Sequence, residues 1–136
     1  MTAFLFSSDG RIGRGKFWFA ILYYIGASIF VGLLLFVLWQ IIPGEVSAEG
    51  SYNVTGAKSV PYLILVFGYI IFCIWSGICV GVKRYHDRNK SGWWLLIQFV
   101  PLIGAAWYFI EAGCLRGTAG SNRFGPDPLG APAIAA

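Results

Sequence analysis

Lys83-Arg84-Tyr85-His86-Asp87-Arg88-Asn89-Lys90-Ser91-Gly92-Trp93-Trp94 is the stretch on which the fold turns. It is a dense island of charge between two uncharged apolar runs, residues 60–82 and 92–110. Ionised side chains are expelled from hydrocarbon, so the island belongs at a membrane surface and each flanking run leaves it as a candidate span. Composition agrees. Of 136 residues 57% are hydrophobic and 12% charged, against about a quarter charged in a soluble domain. A water-soluble fold of this length has too little interior to hide so much apolar surface. Zinc spacing and CxxC pairs are absent from Cys73, Cys79 and Cys114, which read as free thiols.

Working outward, the run 60–82 opens with Pro61, suited to a first helical turn, and closes with Gly77 and Gly81. That small-xxx-small spacing lets helix backbones approach closely in lipid, either between copies or within one chain. Beyond the island, Ser91 is a natural N-cap for the run 92–110, with Pro101-Leu102-Ile103-Gly104 at its middle. The expected structure there is a span kinked at Pro101; the alternative is a re-entrant hairpin turning at the same place. Upstream, residues 17–42 are uncharged and cover the ~30 Å hydrocarbon core. Trp18, Tyr23 and Tyr24 near one end and Trp39 near the other match interfacial belts. The run is too long for a signal's apolar region, so a retained anchor is expected.

The connection 43–59 is punctuated by Pro43, Gly44, Gly50 and Gly56, and the tail 111–136 is rich in turn formers. Residues 1–16 form a head piece, with Phe4 and Phe6 placed in the headgroup zone and Arg11 and Arg14 facing lipid phosphate. The expected fold is all-α: one integral membrane helical bundle. It has three transmembrane helices (17–42, 60–82 and 92–110), an interfacial head (1–16), a charged loop (83–91) and an irregular tail (111–136). With three spans, basic residues concentrate on the side of the head and the island. The positive-inside rule therefore puts the N-terminus in the cytoplasm and the tail outside.

Catalytic machinery is not indicated. His86 and Asp87 are adjacent titratable groups, but neighbours on a helix point about 100° apart and make no dyad. Neither a metal cluster nor a cofactor fingerprint is present; Gly10, Gly13 and Gly15 have the wrong order for one. The basic residues are membrane-adjacent, which argues against a nucleic-acid partner. Arg11, Arg14, Lys83, Arg84, His86, Asp87 and Arg88 are the candidate contacts to anionic headgroups or a partner. Gly77 and Gly81 are the candidate packing positions, within the chain, in a homo-oligomer or against another membrane protein. The function expected is a non-catalytic membrane protein that oligomerises or binds a partner or anionic lipid. The alternative is a subunit of a small transporter or channel, with Gln40, Gln98, Ser28, Ser76 and Glu111 as its few polar groups in or near the apolar runs.

Three blocks carry a resemblance. They are Gly10-Arg11-Ile12-Gly13-Arg14 with Phe17-Trp18; Arg84-Tyr85-His86-Asp87 with Ser91-Gly92-Trp93-Trp94 and Pro101-Leu102-Ile103-Gly104; and Gly117-Thr118-Ala119-Gly120-Ser121-Asn122-Arg123-Phe124-Gly125-Pro126-Asp127-Pro128. Together they resemble the bacterial inner-membrane family known as domain of unknown function 805, which carries Leu where this chain has Tyr85. The resemblance covers residues 4–128 and implies a small multi-span plasma-membrane protein. It implies no activity, and so no catalytic residue.

Overall fold

The computed structural model describes residues 2–46, 48 and 50–130. Residues 131–136, the end of the expected tail, lie outside the described residues, as do Met1, Ser47 and Glu49. A short helix α1 (Thr2–Phe6) leads into α2 (Arg14–Ile41), and α3 (Val60–Asp87) follows a 3-10 turn at Gly56–Ser59. Two helices, Arg14–Ile41 and Gly56–Asp87, are long and apolar enough to cross a membrane, and they contain the expected runs 17–42 (but for Ile42) and 60–82. Large apolar side chains along α2, among them Phe19, Ile25, Ile29, Leu33 and Phe36, are exposed. That is the surface expected of a helix solvated by lipid.

The expected third span is not one continuous helix. A 3-10 helix over Gly92–Phe99 packs against α4 (Ile103–Tyr108), which continues as a π-helical turn over Phe109–Cys114. The segment folds back at Pro101-Leu102 as a hairpin, the backbone course of the re-entrant alternative and not of a kinked continuous helix. Pro101 supplies no backbone donor and holds Val100 extended, at ψ 118°. Leu102 then adopts a left-handed φ of 64°. Gly104 lies so close to the carbonyl of Ile97 that a Cβ there would overlap it. An outgoing arm of 8 residues in 3-10 geometry reaches roughly 16 Å, about half the hydrocarbon thickness.

Contacts divide the chain into two units, residues 1–22 with 75–136, and residues 23–74. In the second unit the Tyr69 hydroxyl lies 2.6 Å from Ser28 Oγ and donates to the Tyr24 carbonyl at 3.1 Å. Tyr62 donates to the Ile42 carbonyl at 2.7 Å, satisfying a group that the end of α2 leaves free. The connection also holds a two-residue antiparallel ribbon, β1 (Glu45–Val46) on β2 (Tyr52–Asn53), a small departure from the all-α expectation. An exposed Lys58–Glu45 pair at 2.6 Å lies beside it.

Candidate functional site

The first unit gathers head, island and tail around Asp87, the last residue of α3. Because the hairpin returns, residues 111–118 come back to the island from which residue 92 departs. Arg84 and Asp87 are three apart on α3 and form a buried ion pair. Arg11 comes from the head and donates through Nε to Asp87 Oδ1 at 3.1 Å, with Nη2 3.0 Å from the same oxygen. One carboxylate thus serves two guanidinium groups, and the side chains of Arg11, Arg84 and Asp87 are 1%, 0% and 3% exposed.

Both arginines have donors left over, and backbone carbonyls of the returning chain accept them. Arg84 Nε donates to Ala112 O at 2.6 Å, and Nη2 donates to Leu115 O. Arg11 Nη2 donates to Thr118 O at 2.6 Å, and Nη1 donates to Gly120 O at 2.7 Å. Thr118 replies through its backbone N–H to Asp87 O at 2.8 Å. Gly117 is required at this crossing, since a Cβ there would fall inside the Asp87 carboxylate. Next along the tail, Asn122 Nδ2 donates to His86 O at 2.9 Å, and Phe124 stacks on the His86 ring with centroids 3.8 Å apart and planes 5° apart.

A second carboxylate repeats the pattern. Glu111 is buried, and its Oε1 accepts from Arg88 Nε at 3.1 Å and from Lys90 Nζ. Lys90 also lies over the Trp94 ring, 4.5 Å from its centroid. Burial alone would raise the Glu111 pKa, but Lys90 and Arg88 outweigh it and hold the carboxyl below its ordinary 4.5. Lys83, buried as well, turns toward α1 and donates to the carbonyls of Ala3 and Phe4, completing the end of that short helix.

The seven candidate headgroup or partner contacts therefore divide. Arg11, Lys83, Arg84 and Asp87 direct their charge inward instead of to lipid; Arg88 is half-buried against Glu111, and His86 is half-buried against Phe124. Only Arg14 is exposed, with Nη1 donating to Cys114 O at 3.0 Å. Asp87 pairs with Arg11 and Arg84. His86 and Asp87 turn to different partners, as their adjacency requires. Gly81 lies against Leu95 and Tyr108 of the hairpin, whereas a Cβ at Gly77 would meet nothing within 4 Å. Glu111, Lys90, Thr118 and Asn122 join the cluster although the candidate set omits them. Glu111 had a signal, as the acid that closes an apolar run near an island with surplus bases. Among the described residues no group of three or more metal-ligating side chains forms.

A buried ionic knot joined to two long apolar helices defines a small α-helical integral membrane protein, polar at one end of its helices. Its family model matches residues 5–126, and the chain belongs to the DUF805 family of proteins of unknown function. It is similar to the inner membrane protein YhaH of Escherichia coli strain K12, 36% identical over 121 residues that cover 88% of this chain and 84% of YhaH. YhaI, another inner membrane protein of that strain, is 31% identical over the same shares. The uncharacterized protein YiiR is 26% identical over 90% of this chain and 86% of its own. No solved structure matches the chain.

Proposed function

We propose that this is a non-catalytic, two-span inner-membrane protein whose head, island and tail form one platform on the cytoplasmic face, built to engage anionic lipid headgroups. The return of the hairpin carries this reading. With residues 92–114 entering and leaving on one side, every lysine and arginine except Lys58 falls on the side of the head and island. The positive-inside rule then favours a cytoplasmic N-terminus far more strongly than three spans would, and it brings the tail inside too. The internal knot supports a structural role for Arg11, Lys83, Arg84 and Asp87. Arg14, Lys16, Arg116 and Arg123, all exposed, are left to face the membrane surface.

Sidedness tests the reading. A single cysteine at Ser121, in a background without Cys73, Cys79 and Cys114, is treated in intact cells with a membrane-impermeant thiol reagent. A cysteine at Ser51, in the connection between the two spans, is the external control. Ser121 is expected to stay unlabelled until the cells are lysed, while Ser51 labels at once. Labelling of Ser121 in intact cells would overturn the two-span topology and the platform with it.

A further inference from the structure

The carboxylates of the first unit are shared unequally with its bases. Asp87 is taken by Arg11 and Arg84, and Glu111 by Arg88 and Lys90. Asp127 folds onto its own loop, its two oxygens accepting the backbone N–H groups of Gly120 at 3.0 Å and Leu129 at 2.9 Å, and Asp9 accepts from Ser7 Oγ of its own turn at 3.4 Å. None of the ion pairs among the described residues involves Arg14, Lys16, Arg116 or Arg123. Two of these four, Arg14 and Arg116, flank one crevice, whose remaining walls include Gly13, Gly117 and Thr118. Its enclosed volume is about 10 Å³, the space of one water-sized group. Asp87 and Asp127 also border it, but Arg11 and Arg84 take up the Asp87 charge and backbone N–H groups take up the Asp127 oxygens, so the two guanidinium groups of the crevice walls keep hydrogen-bonding capacity.

Position and polarity agree. Arg14 is the first residue of α2, where the apolar run begins and phosphate groups of a surrounding leaflet lie. The first turn of that helix holds no acid, so its partial positive end is uncompensated. Trp18, one turn further, donates its indole N–H to Gly113 O at 3.1 Å, fixing the returning chain beside the helix start.

We propose that the crevice between Arg14 and Arg116 seats a phosphodiester oxygen of an anionic phospholipid, with the two guanidinium groups on the remaining oxygens. Guanidinium groups recognise phosphate by paired hydrogen bonds, which a diffuse basic surface does not supply. The inference rests on the platform reading and sharpens it from a surface to a site.

Spin-labelled phosphatidylglycerol and phosphatidylcholine, each in trace amount in phosphatidylcholine vesicles carrying the full chain, report the preference through the motionally restricted fraction. An arginine at a charged lipid surface is worth a factor of roughly five. The wild type is expected to favour phosphatidylglycerol by at least that factor, and R14Q/R116Q is expected to lose most of that preference. R14K/R116K should recover part of the preference, and K16Q/R123Q should keep most of it. The Arg116 side chain donates no hydrogen bond among the described residues, so Arg116→Gln alone gives the answer should the double variant unfold. Retention of the full preference by R14Q/R116Q, or by Arg116→Gln in that event, would overturn the site. Equal loss in K16Q/R123Q would overturn it too, while leaving the platform as a diffuse basic surface. Displacement of the labelled lipid by millimolar inorganic phosphate would assign the crevice to free phosphate and overturn the lipid assignment.

Discussion

Asp87 carries one negative charge for two guanidinium groups, and all three side chains are cut off from solvent. Removing that charge while keeping its shape leaves two buried cations without a counter-charge, the costly way to break a buried pair. Asp87→Asn is expected to lower the unfolding free energy by about 3–5 kcal/mol, read from thermal or denaturant unfolding of the purified protein. Glu111 makes a second prediction through pH. Its carboxyl titrates below the ordinary 4.5 in the folded protein, so the unfolded chain binds the proton first on acidification. The stability from its pairing with Lys90 and Arg88 is complete above pH 4.5 and is lost as pH falls through the lower folded value. A stability profile taken downward from pH 6 should dip below 4.5 in the wild type, and the dip should be absent in Glu111→Gln. At this scale the sequence shows which charged residues the island holds but not how they pair, since Arg11 lies 76 residues from Asp87. The acceptors of the remaining arginine donors were not legible. They are the carbonyls of Ala112, Leu115, Thr118 and Gly120, and a carbonyl belongs to every residue type.

At the scale of elements, hydropathy locates α2 and α3 because a run without charge and longer than the hydrocarbon thickness has few alternatives to a helix. The third run is different. Its length and polarity allow either a kinked span or a hairpin, and Pro101 is compatible with both. What decides is the sum of local choices after it: Leu102 at φ 64° and the close approach of Gly104 to Ile97 O. Leu is a poor sequence marker for a left-handed turn, so the sequence signal is weak where the backbone is most unusual. Gly104→Val tests the turn. Its side chain would displace the carbonyl of Ile97, and the arms should separate at a cost of about 1–3 kcal/mol. Two cysteines, one on each arm, should then form a disulfide more slowly than in the unmodified hairpin. Gly81→Leu should loosen the same element from α3, because its neighbours are Leu95 and Tyr108, whereas Gly77→Leu should be tolerated.

For the whole molecule, the proposed topology places both head and tail in the cytoplasm. A fluorescent protein fused after the tail should fluoresce in cells, and an alkaline phosphatase fused at the same position should be inactive; the reverse pattern would contradict the two-span topology. The knot also bears on how the protein is made. Arg11 reaches Gly120 and Gly125 across 109 and 114 positions of sequence, nearly the length of the chain. The Arg11 guanidinium cannot find its full set of acceptors until residues near 125 have left the ribosome. Loop closure of that span comes late and at an entropic cost. A nascent chain arrested before the tail would hold α2 and α3 in the bilayer with the Arg11 guanidinium still short of acceptors, which marks it chemically as unfinished. Residues 118–125, synthesised long after Arg11, are thus the clasp that shuts on the head.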